Sequence, residues 1–251
     1  MFPASDVVVG ATSVDATAEF FAVAGFTPQG ASTGGVHLLQ QGASGAGIVV
    51  LEASGPSVRR EPYAAGPAAI DVYTSDIAQG AAAFEAAGYE VGRFADLSIG
   101  PVTLKQVRIH GPDHVPVVLV ETSHRRSSLL DQEPDRLFSE GHSLVWVVNG
   151  RDDEASWWVD RGATKGMNLD FDTPATSVLL DLPDESVAVA MTMLSDEAVG
   201  PFRLELLEFT HMASGARARQ DADLPGIQGL RFNDAEGEWA VSPGGVRYQA
   251  V

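Results

Sequence analysis

The chain has 251 residues, a formal net charge of −18 at pH 7 and a hydrophobic content of 45%. This acidity opposes binding to nucleic-acid phosphates and to anionic membrane surfaces. The sequence contains no cysteine, which excludes disulfides, thiolate nucleophiles and cysteine ligands to metals. No apolar run approaches the roughly 20 residues of a membrane helix, and no signal-peptide pattern opens the chain. We therefore expect a cytoplasmic protein that has no nucleic-acid or membrane partner.

The first part of the chain predicts a strand, a helix and further strands in that order. The β-branched run DVVVG precedes a helical spacing of Val14, Ala18 and Phe21, and Gly25 ends the helix. The segments GVHLLQQ and GIVVLEA follow as strands.

The same order recurs along the chain. In AAIDVYTSDIAQGAAAFEAAGYEVG, a strand leads into a cap at Ser75 and Asp76, an alanine-rich helix and a stop at Gly88. The strands TLKQVRI and VPVVLVE follow. A third copy runs from HSLVWVVNGRDDEASWWVDRG to FRLELLEF, and a shorter fourth, GIQGLRFND with GVRYQAV, lacks a helix. A unit that recurs at about 65–75 residues predicts an α+β fold of tandem βαβββ modules.

Two histidines, His110 and His114, have the four-residue spacing of a helical metal site. Gly111 and Pro112 lie between them, so a helix cannot continue through this segment. The segment GPDH therefore predicts a hairpin turn before the strand VPVVLVE, and the spacing of the histidines is incidental.

The polar segment over residues 121–141 contains charges, serines and Pro134, which is typical of a linker. It divides the chain into an N-terminal pair of modules over residues 1–122, a linker over 123–141 and a C-terminal pair over 142–251. The fourth module is truncated.

The segments VYTSDIAQGAAAFEAAGYEV and VRIHGPDHVPVVLVE resemble the vicinal oxygen chelate superfamily, which includes glyoxalase I, bleomycin-resistance proteins and extradiol dioxygenases. The resemblance implies that the modules form two curved mixed sheets, with a cleft between paired modules. It also implies a divalent metal held by residues of the first and fourth strands of the modules, where a substrate chelates it through adjacent oxygens.

In the N-terminal pair, the resemblance places Asp6 and Ala69 at the first-strand ligand positions. Val49 and Val118 stand at the fourth-strand positions, and valine cannot bind a metal. This pair is therefore expected to have a structural role.

In the C-terminal pair, the resemblance implies a metal site made of His142, Glu205 and Gln228, with Glu205 also as a catalytic proton carrier. Strict counting places Ser143 rather than His142 at the first-strand position, and Ile227 is the alternative to Gln228. A three-ligand site of nitrogen and oxygen donors suits one iron, manganese, nickel or zinc ion.

The alternative for these residues requires no metal. His142 would then cap the linker, Glu205 would pair with Arg203 or Arg231, and Gln228 would be an ordinary polar residue of a strand. The pattern of two histidines and one glutamate that is typical of extradiol dioxygenases is absent.

Four aromatic residues are candidates for contact with an organic ligand through ring stacking or hydrogen bonds. Trp146, Trp239 and Tyr248 are the predicted substrate-binding residues, and Tyr73 is a further candidate. The neighbouring Trp157 and Trp158 are expected to pack in the core, because one of them must face the sheet.

Two functions remain open from the sequence. The first is a metal-assisted lyase, isomerase or oxygenase that acts on a small oxygen-rich molecule. The second is a metal-free protein that sequesters an aromatic or antibiotic-like molecule, as bleomycin-resistance proteins do. Because four modules complete the clefts within one chain, we expect a monomer or a loose homodimer.

Overall fold

The computed structural model describes residues 4–32, 34–43, 47–99, 102–182, 187–195, 202–210, 224–232 and 238–249. The first three modules contain a first strand, a helix and three further strands, as the sequence predicts. The first module comprises β1 (Ala4–Ala11), α1 (Val14–Val23), β2 (Phe26–Ser32), β3 (Gly35–Gln40) and β4 (Gly47–Glu52). The second comprises β5 (Gly66–Thr74), α2 (Ile77–Ala86), β6 (Glu90–Ile99), β7 (Val102–His110) and β8 (Pro116–Glu121).

The third module begins after a short helix, α3 (Leu129–Gln132). It comprises β9 (Phe138–Val147), α4 (Arg151–Val159), β10 (Thr164–Thr173), α5 (Pro174–Leu179), β11 (Val187–Ser195) and β12 (Arg203–Phe209). The fourth contributes β13 (Gly226–Phe232), β14 (Trp239–Val241) and β15 (Arg247–Gln249). Among its described residues there is no helix, in agreement with the prediction from sequence. Strand β9 begins inside the segment expected to be a linker.

Local sequence explains where the first two helices begin. The Ser13 hydroxyl accepts a hydrogen bond from the Ala16 amide at 3.2 Å, and the Asp76 carboxylate accepts one from the Gln79 amide at 2.9 Å. Each satisfies an amide that the first turn of the helix leaves without a partner. The predicted turn near His110 is also confirmed, because Pro112–His114 forms a single 3-10 turn before β8.

In the part of the chain that the structure describes, the strands form a seven-stranded sheet in the order β14-β15-β13-β1-β4-β3-β2 and an eight-stranded sheet in the order β10-β11-β12-β9-β5-β8-β7-β6. Both sheets are mixed and join modules through antiparallel pairs of first strands. Strand β1 pairs with β13, so the first module shares a sheet with the fourth. Strand β5 pairs with β9, so the second module shares a sheet with the third.

This pairing differs from the grouping by sequence, in which neighbouring modules pair. The domain boundaries at residues 122 and 142 stay a prediction, but a sheet joins strands on either side of them. The physical reason is that the first strands of all four modules are similarly apolar. Local pattern therefore cannot specify which of them pair, because register and partner depend on non-local contacts.

One hydrophobic core lies on the helix-bearing faces of both sheets. On β5, Ile70 and Val72 point into this core, whereas Ala69 and Tyr73 point to the opposite face. Phe20 of α1 packs on Phe84 of α2 with ring centroids 5.4 Å apart, which connects the two sheets. Trp158 is fully buried against the fourth module, as expected for one of the two adjacent tryptophans. None of the described helices is long and apolar enough to span a membrane.

Candidate functional site

The concave face of the eight-stranded sheet encloses a cavity of about 350 Å³, here called the main cavity. Its wall residues are mostly aliphatic, aromatic or methionine side chains from the second and third modules, among them Val118, Val145, Phe171, Met191 and Leu207. Because successive residues of a strand face opposite sides, the same strands supply both the helix-side core and this wall. The volume falls in the range of about 300–1,000 Å³ that small-molecule sites have.

A polar cluster, formed by Asp71, Tyr73, His142, Arg203 and Glu205, lines one part of this cavity. The imidazole of His142 stacks on the Tyr73 ring with centroids 3.7 Å apart and an interplanar angle of 11°. The Arg203 Nη2 atom lies 3.1 Å from the Tyr73 hydroxyl and 3.2 Å from the His142 Nδ1 atom. The guanidinium therefore donates hydrogen bonds to the Tyr73 hydroxyl and to the His142 imidazole, and it holds both side chains in one orientation.

The two carboxyl groups of the polar cluster lie in a poorly solvated environment. Burial, and then repulsion from Glu205, raises the pKa of Asp71 well above its ordinary value. Burial also raises the pKa of Glu205, while Arg203 opposes the rise. Glu205 retains some solvent exposure because its side chain borders the cavity. The Ser143 hydroxyl donates to the Asp71 Oδ2 atom at 2.8 Å.

His142 is neutral in the folded protein. Burial, and then the positive charge of Arg203, lowers the pKa of His142 well below its ordinary value. Since Arg203 donates to Nδ1, the proton of the imidazole belongs on Nε2. That nitrogen is buried and makes no hydrogen bond within the described part of the chain.

The structure brings together two of the three residues that were predicted to bind a metal. His142 and Glu205 both line the main cavity, but Gln228 lies on β13 in the other sheet, with its amide beside Gly10. His142 borders the main cavity, and the neighbouring Ser143, which lies opposite Asp71 on β5, bonds to the Asp71 carboxylate.

The three aromatic residues predicted to bind substrate lie elsewhere. Trp146 is 2% exposed and packs in the helix-side core, because it faces away from the cavity on β9. Tyr248 packs against Trp158 in the same core. Trp239 lies on β14 with the Arg247 guanidinium over its ring at 4.4 Å. The fourth candidate, Tyr73, does line the main cavity.

The sequence alone does not single out Asp71, and it indicates Arg203 only as an ion-pair partner of Glu205. A signal for Asp71 existed, since AAIDVY places a carboxylate in a strand that is otherwise apolar. Such a residue requires a compensating environment when the strand is buried on both faces, as β5 is.

A glutamate lies at or near the end of the fourth strand in the second and third modules, and there it has a structural function. The Glu121 carboxylate accepts a hydrogen bond from the Ile77 amide at 2.9 Å, at the start of α2. The Glu208 carboxylate accepts hydrogen bonds from the Gly150 and Arg151 amides, both at 3.1 Å, at the start of α4. These carboxylates satisfy free amides at helix N-termini, where negative charge is also favourable.

The residues of the described chain do not fit a bound metal ion. Among them, no group of three or more His, Cys, Asp or Glu side chains could hold one. Val118 occupies the middle of β8 opposite Asp71, and Val49 occupies the corresponding place on β4. In the seven-stranded sheet, Asp6 is bonded to the His37 Nε2 atom at 2.8 Å.

Comparisons with known proteins support the fold. No family model matches the sequence, and no curated protein is significantly similar to it. Among solved structures, a mutant of glyoxalase I from Zea mays has a TM-score of 0.64 at 12% identity, over 98% of this chain and 91% of that chain. Another structure of Zea mays glyoxalase I has a TM-score of 0.59 at 13% identity, over 98% of this chain and 90% of that chain. A mutant of 4-hydroxymandelate synthase from Streptomyces coelicolor has a TM-score of 0.44 at 13% identity, over 88% of this chain and 72% of that chain.

At these identities the similarity establishes the architecture and not the activity. The similarity to glyoxalase I extends over nearly the whole chain and agrees with the tandem βαβββ modules and the two curved mixed sheets. This protein therefore has the glyoxalase fold.

Proposed function

We propose that the protein binds a small, largely apolar organic molecule in the main cavity without a metal ion. The observation that carries the proposal is the main cavity itself, whose volume is about 350 Å³ and whose polar groups are few beside its apolar wall. Apolar walls supply affinity through the burial of ligand surface, and a few convergent polar groups fix orientation.

The polar cluster is suited to orient such a ligand. Arg203 holds Tyr73 and His142 in fixed positions, so their rings present a preorganised surface at the cavity. Preorganised side chains lose little conformational freedom when a ligand binds, which favours affinity. The adjacent carboxyl groups of Asp71 and Glu205 supply hydrogen-bonding atoms.

Fluorescence titration with N-phenylnaphthylamine, a neutral aromatic amine that becomes bright in apolar sites, tests this proposal. Val145→Phe places extra ring atoms in the main cavity, whereas Val241→Phe makes the same change at an exposed position of the other sheet. We expect saturable binding of one probe per chain to the unmodified protein and to the Val241 variant. The Val145 variant should bind at least about tenfold more weakly. Absence of saturable binding, or equal binding by the Val145 variant, would contradict the proposal.

Elemental analysis of protein purified without chelator tests separately whether the protein binds a metal ion. We expect well under one equivalent of any transition metal per chain and no change in probe affinity on adding EDTA. A stoichiometric metal, or loss of probe binding with EDTA, would restore the hypothesis of a metal-assisted enzyme.

A second candidate function is proton transfer on a carbonyl compound without a metal. The pair of carboxyl groups at Asp71 and Glu205 favours it, because neighbouring carboxyls in a poorly solvated site can serve as acid and base. Deuterium exchange next to the carbonyl of small hydroxyketones in D₂O, followed by NMR, distinguishes the two functions. Exchange that is lost in Glu205→Gln indicates an enzyme, and no exchange indicates a binding protein.

A further inference from the structure

A second, smaller pocket of about 40 Å³ adjoins the main cavity and is here called the arginine pocket. Arg59, Arg60 and Arg108 line it, together with His110 and His114. Three arginines in one small pocket are notable in a chain that carries a net charge of −18. Four residues line both spaces, Pro62, Ala68, Arg108 and Leu180, so the two cavities are neighbours and Arg108 borders each of them.

Arg108 is a buried cation that forms no direct ion pair with a carboxylate in the described part of the chain. The residue is only 9% exposed, and its Nε–H has no hydrogen-bond partner among the described residues. The Nη2 atom donates to the Ala68 carbonyl oxygen at 3.1 Å. Burial, and then the nearby charge of Arg59, lowers the pKa of Arg108 to about 10, although the more distant carboxylates of Asp181 and Asp71 oppose this shift, and the group remains protonated at neutral pH.

The two neighbouring arginines add further positive charge to the pocket. Arg60 donates to the carbonyl oxygens of Ala65 and Pro67, and its pKa is lowered to about 10 by burial. Arg59 lies 3.4 Å from the His110 Nε2 atom. Burial, followed by Arg108 and Arg59, lowers the pKa of His110, which therefore adds no charge of its own.

The acidic residues around the pocket bind elsewhere or lie in solvent. Asp113 accepts hydrogen bonds from the Thr12 amide and hydroxyl, at 2.7 Å and 2.9 Å. Asp181 pairs with Arg93 at 3.4 Å, and Glu61 is exposed. By contrast, Arg125, Arg136 and Arg151 form ion pairs with carboxylates within the chain.

We infer that Arg108 binds the carboxylate of a ligand whose apolar body occupies the main cavity, so that the ligand class is an apolar monocarboxylic acid. A buried charge is costly unless an opposite charge compensates it, and arginine binds carboxylates through paired hydrogen bonds. The arginine pocket holds roughly three water-sized groups, at about 10–15 Å³ each. A carboxylate is a small group of this size. This inference rests on the proposed function, since it adds a carboxylate to an apolar ligand.

Displacement of N-phenylnaphthylamine by phenylbutyrate and by its neutral analogue phenylbutanamide tests the inference. We expect phenylbutyrate to bind the unmodified protein at least about tenfold more tightly than the amide does. In Arg108→Gln this preference should disappear. Arg161→Gln removes the same charge outside both cavities and should keep the preference.

The same experiment separates failure of the inference from failure of the proposed function. If acid and amide bind equally well to the unmodified protein, the arginine pocket does not recognise carboxylates, although the main cavity still binds apolar molecules. If N-phenylnaphthylamine itself does not bind, the proposed function fails and the inference fails with it, whereas a bound probe that neither compound displaces contradicts the inference alone. If inorganic phosphate abolishes the preference at concentrations similar to phenylbutyrate, the pocket is a general oxyanion site and the inference is wrong.

A second readout does not depend on the folding of a variant. In the unmodified protein, phenylbutyrate should shift the NMR signal of the Arg108 Nε–H group and slow its exchange with water, whereas the amide should do neither. Arg108→Lys keeps the charge but not the paired donors, and should lose most of the preference. An unchanged Nε–H signal at saturating phenylbutyrate would overturn the inference.

Discussion

The His142 imidazole lies flat against the Tyr73 ring, with centroids 3.7 Å apart, and one guanidinium nitrogen of Arg203 bonds to both side chains. The three residues come from β9, β5 and β12, so the contact joins the first strands of two modules to a fourth strand. It fixes the polar cluster at the point where the second and third modules meet. The following predictions test the charges and hydrogen bonds around this contact.

Glu205 and Glu121 are expected to differ in their effect on ligand binding. Glu205→Ala removes a hydrogen-bond acceptor for the probe N–H from the wall of the main cavity and should weaken binding of N-phenylnaphthylamine by about threefold to tenfold, which corresponds to the loss of an ordinary hydrogen bond. Glu121→Ala is the control, because Glu121 bonds to the start of α2 and to Lys105. Its effect on the dissociation constant in the same titration should stay within about twofold. Equal losses in both variants would show that Glu205 does not contact the probe.

Asp71→Asn should stabilise the protein increasingly as the pH rises. The pKa of Asp71 is raised in the folded protein, so between its ordinary value of 3.8 and the raised value only the unfolded chain has lost the proton. Stability of the unmodified protein therefore falls with rising pH in this window, by at most about 1.4 kcal/mol per pH unit from this group. Asparagine has no such titration and still accepts the Ser143 hydroxyl.

Urea unfolding of both proteins at several pH values above 4 measures this difference. The gap in the free energy of unfolding should grow with pH and level off above the raised pKa of Asp71. Asp153→Asn, the same change at the exposed surface of α4, is the control. A gap that does not vary with pH would contradict the burial of an ionisable carboxyl at this position.

His142→Gln should have the opposite pH dependence. The pKa of His142 is lowered in the folded state, so below 6.5 the unfolded chain binds a proton that the folded protein does not. Stability of the unmodified protein therefore decreases as the pH falls below 6.5, again by at most about 1.4 kcal/mol per pH unit from this group. The variant lacks this loss.

The comparison is made by urea unfolding on the acid side of neutrality, with His124→Gln as a control at an exposed histidine. The unmodified protein should lose stability relative to His142→Gln as the solution becomes more acidic. NMR titration of the His142 ring in the folded protein gives an independent measurement. A midpoint near 6.5 would refute the neutral, buried imidazole.

Glu208→Ala should lower stability without affecting the main cavity. The Glu208 carboxylate accepts hydrogen bonds from the Gly150 and Arg151 amides, and its loss leaves the first turn of α4 without these acceptors. Loss of a helix cap costs about 0.5–2 kcal/mol. Glu85→Ala, at an exposed site on α2, should change the unfolding free energy by no more than about 0.5 kcal/mol. Probe affinity should be the same in both variants, and weaker binding by the Glu208 variant would place it at the site.

The sequence predicted the modules well because their signals are local. The helical spacing through Phe21, the cap at Asp76 and the turn before β8 depend on residues close together in the chain. The same holds for the fourth strands that carry Glu121 and Glu208. These patterns follow from helix and strand periodicity and from the backbone restrictions of glycine and proline, so no distant contact is needed to read them.

The candidate site could be predicted only in part. Glu205 and His142 are predicted from the ligand positions of the family that the sequence resembles, and both do line the main cavity. Gln228 is predicted in the same way, but the fourth module pairs with the first and places Gln228 in the other sheet. Trp146 was assigned to the ligand, yet it faces the helix-side core, since a shift of one residue in a strand reverses the side chain.

By itself, the sequence determined three βαβββ units and a shorter fourth unit. It also determined the polar residues that interrupt their strands. Only the tertiary structure decided that β5 pairs with β9 and β1 with β13, and therefore that Asp71, Tyr73, His142, Arg203 and Glu205 surround one cavity. The physical reason lies in the strands themselves. Hydrogen bonding between strands is similar for any apolar partner, so the choice rests on side-chain packing between residues far apart in the chain.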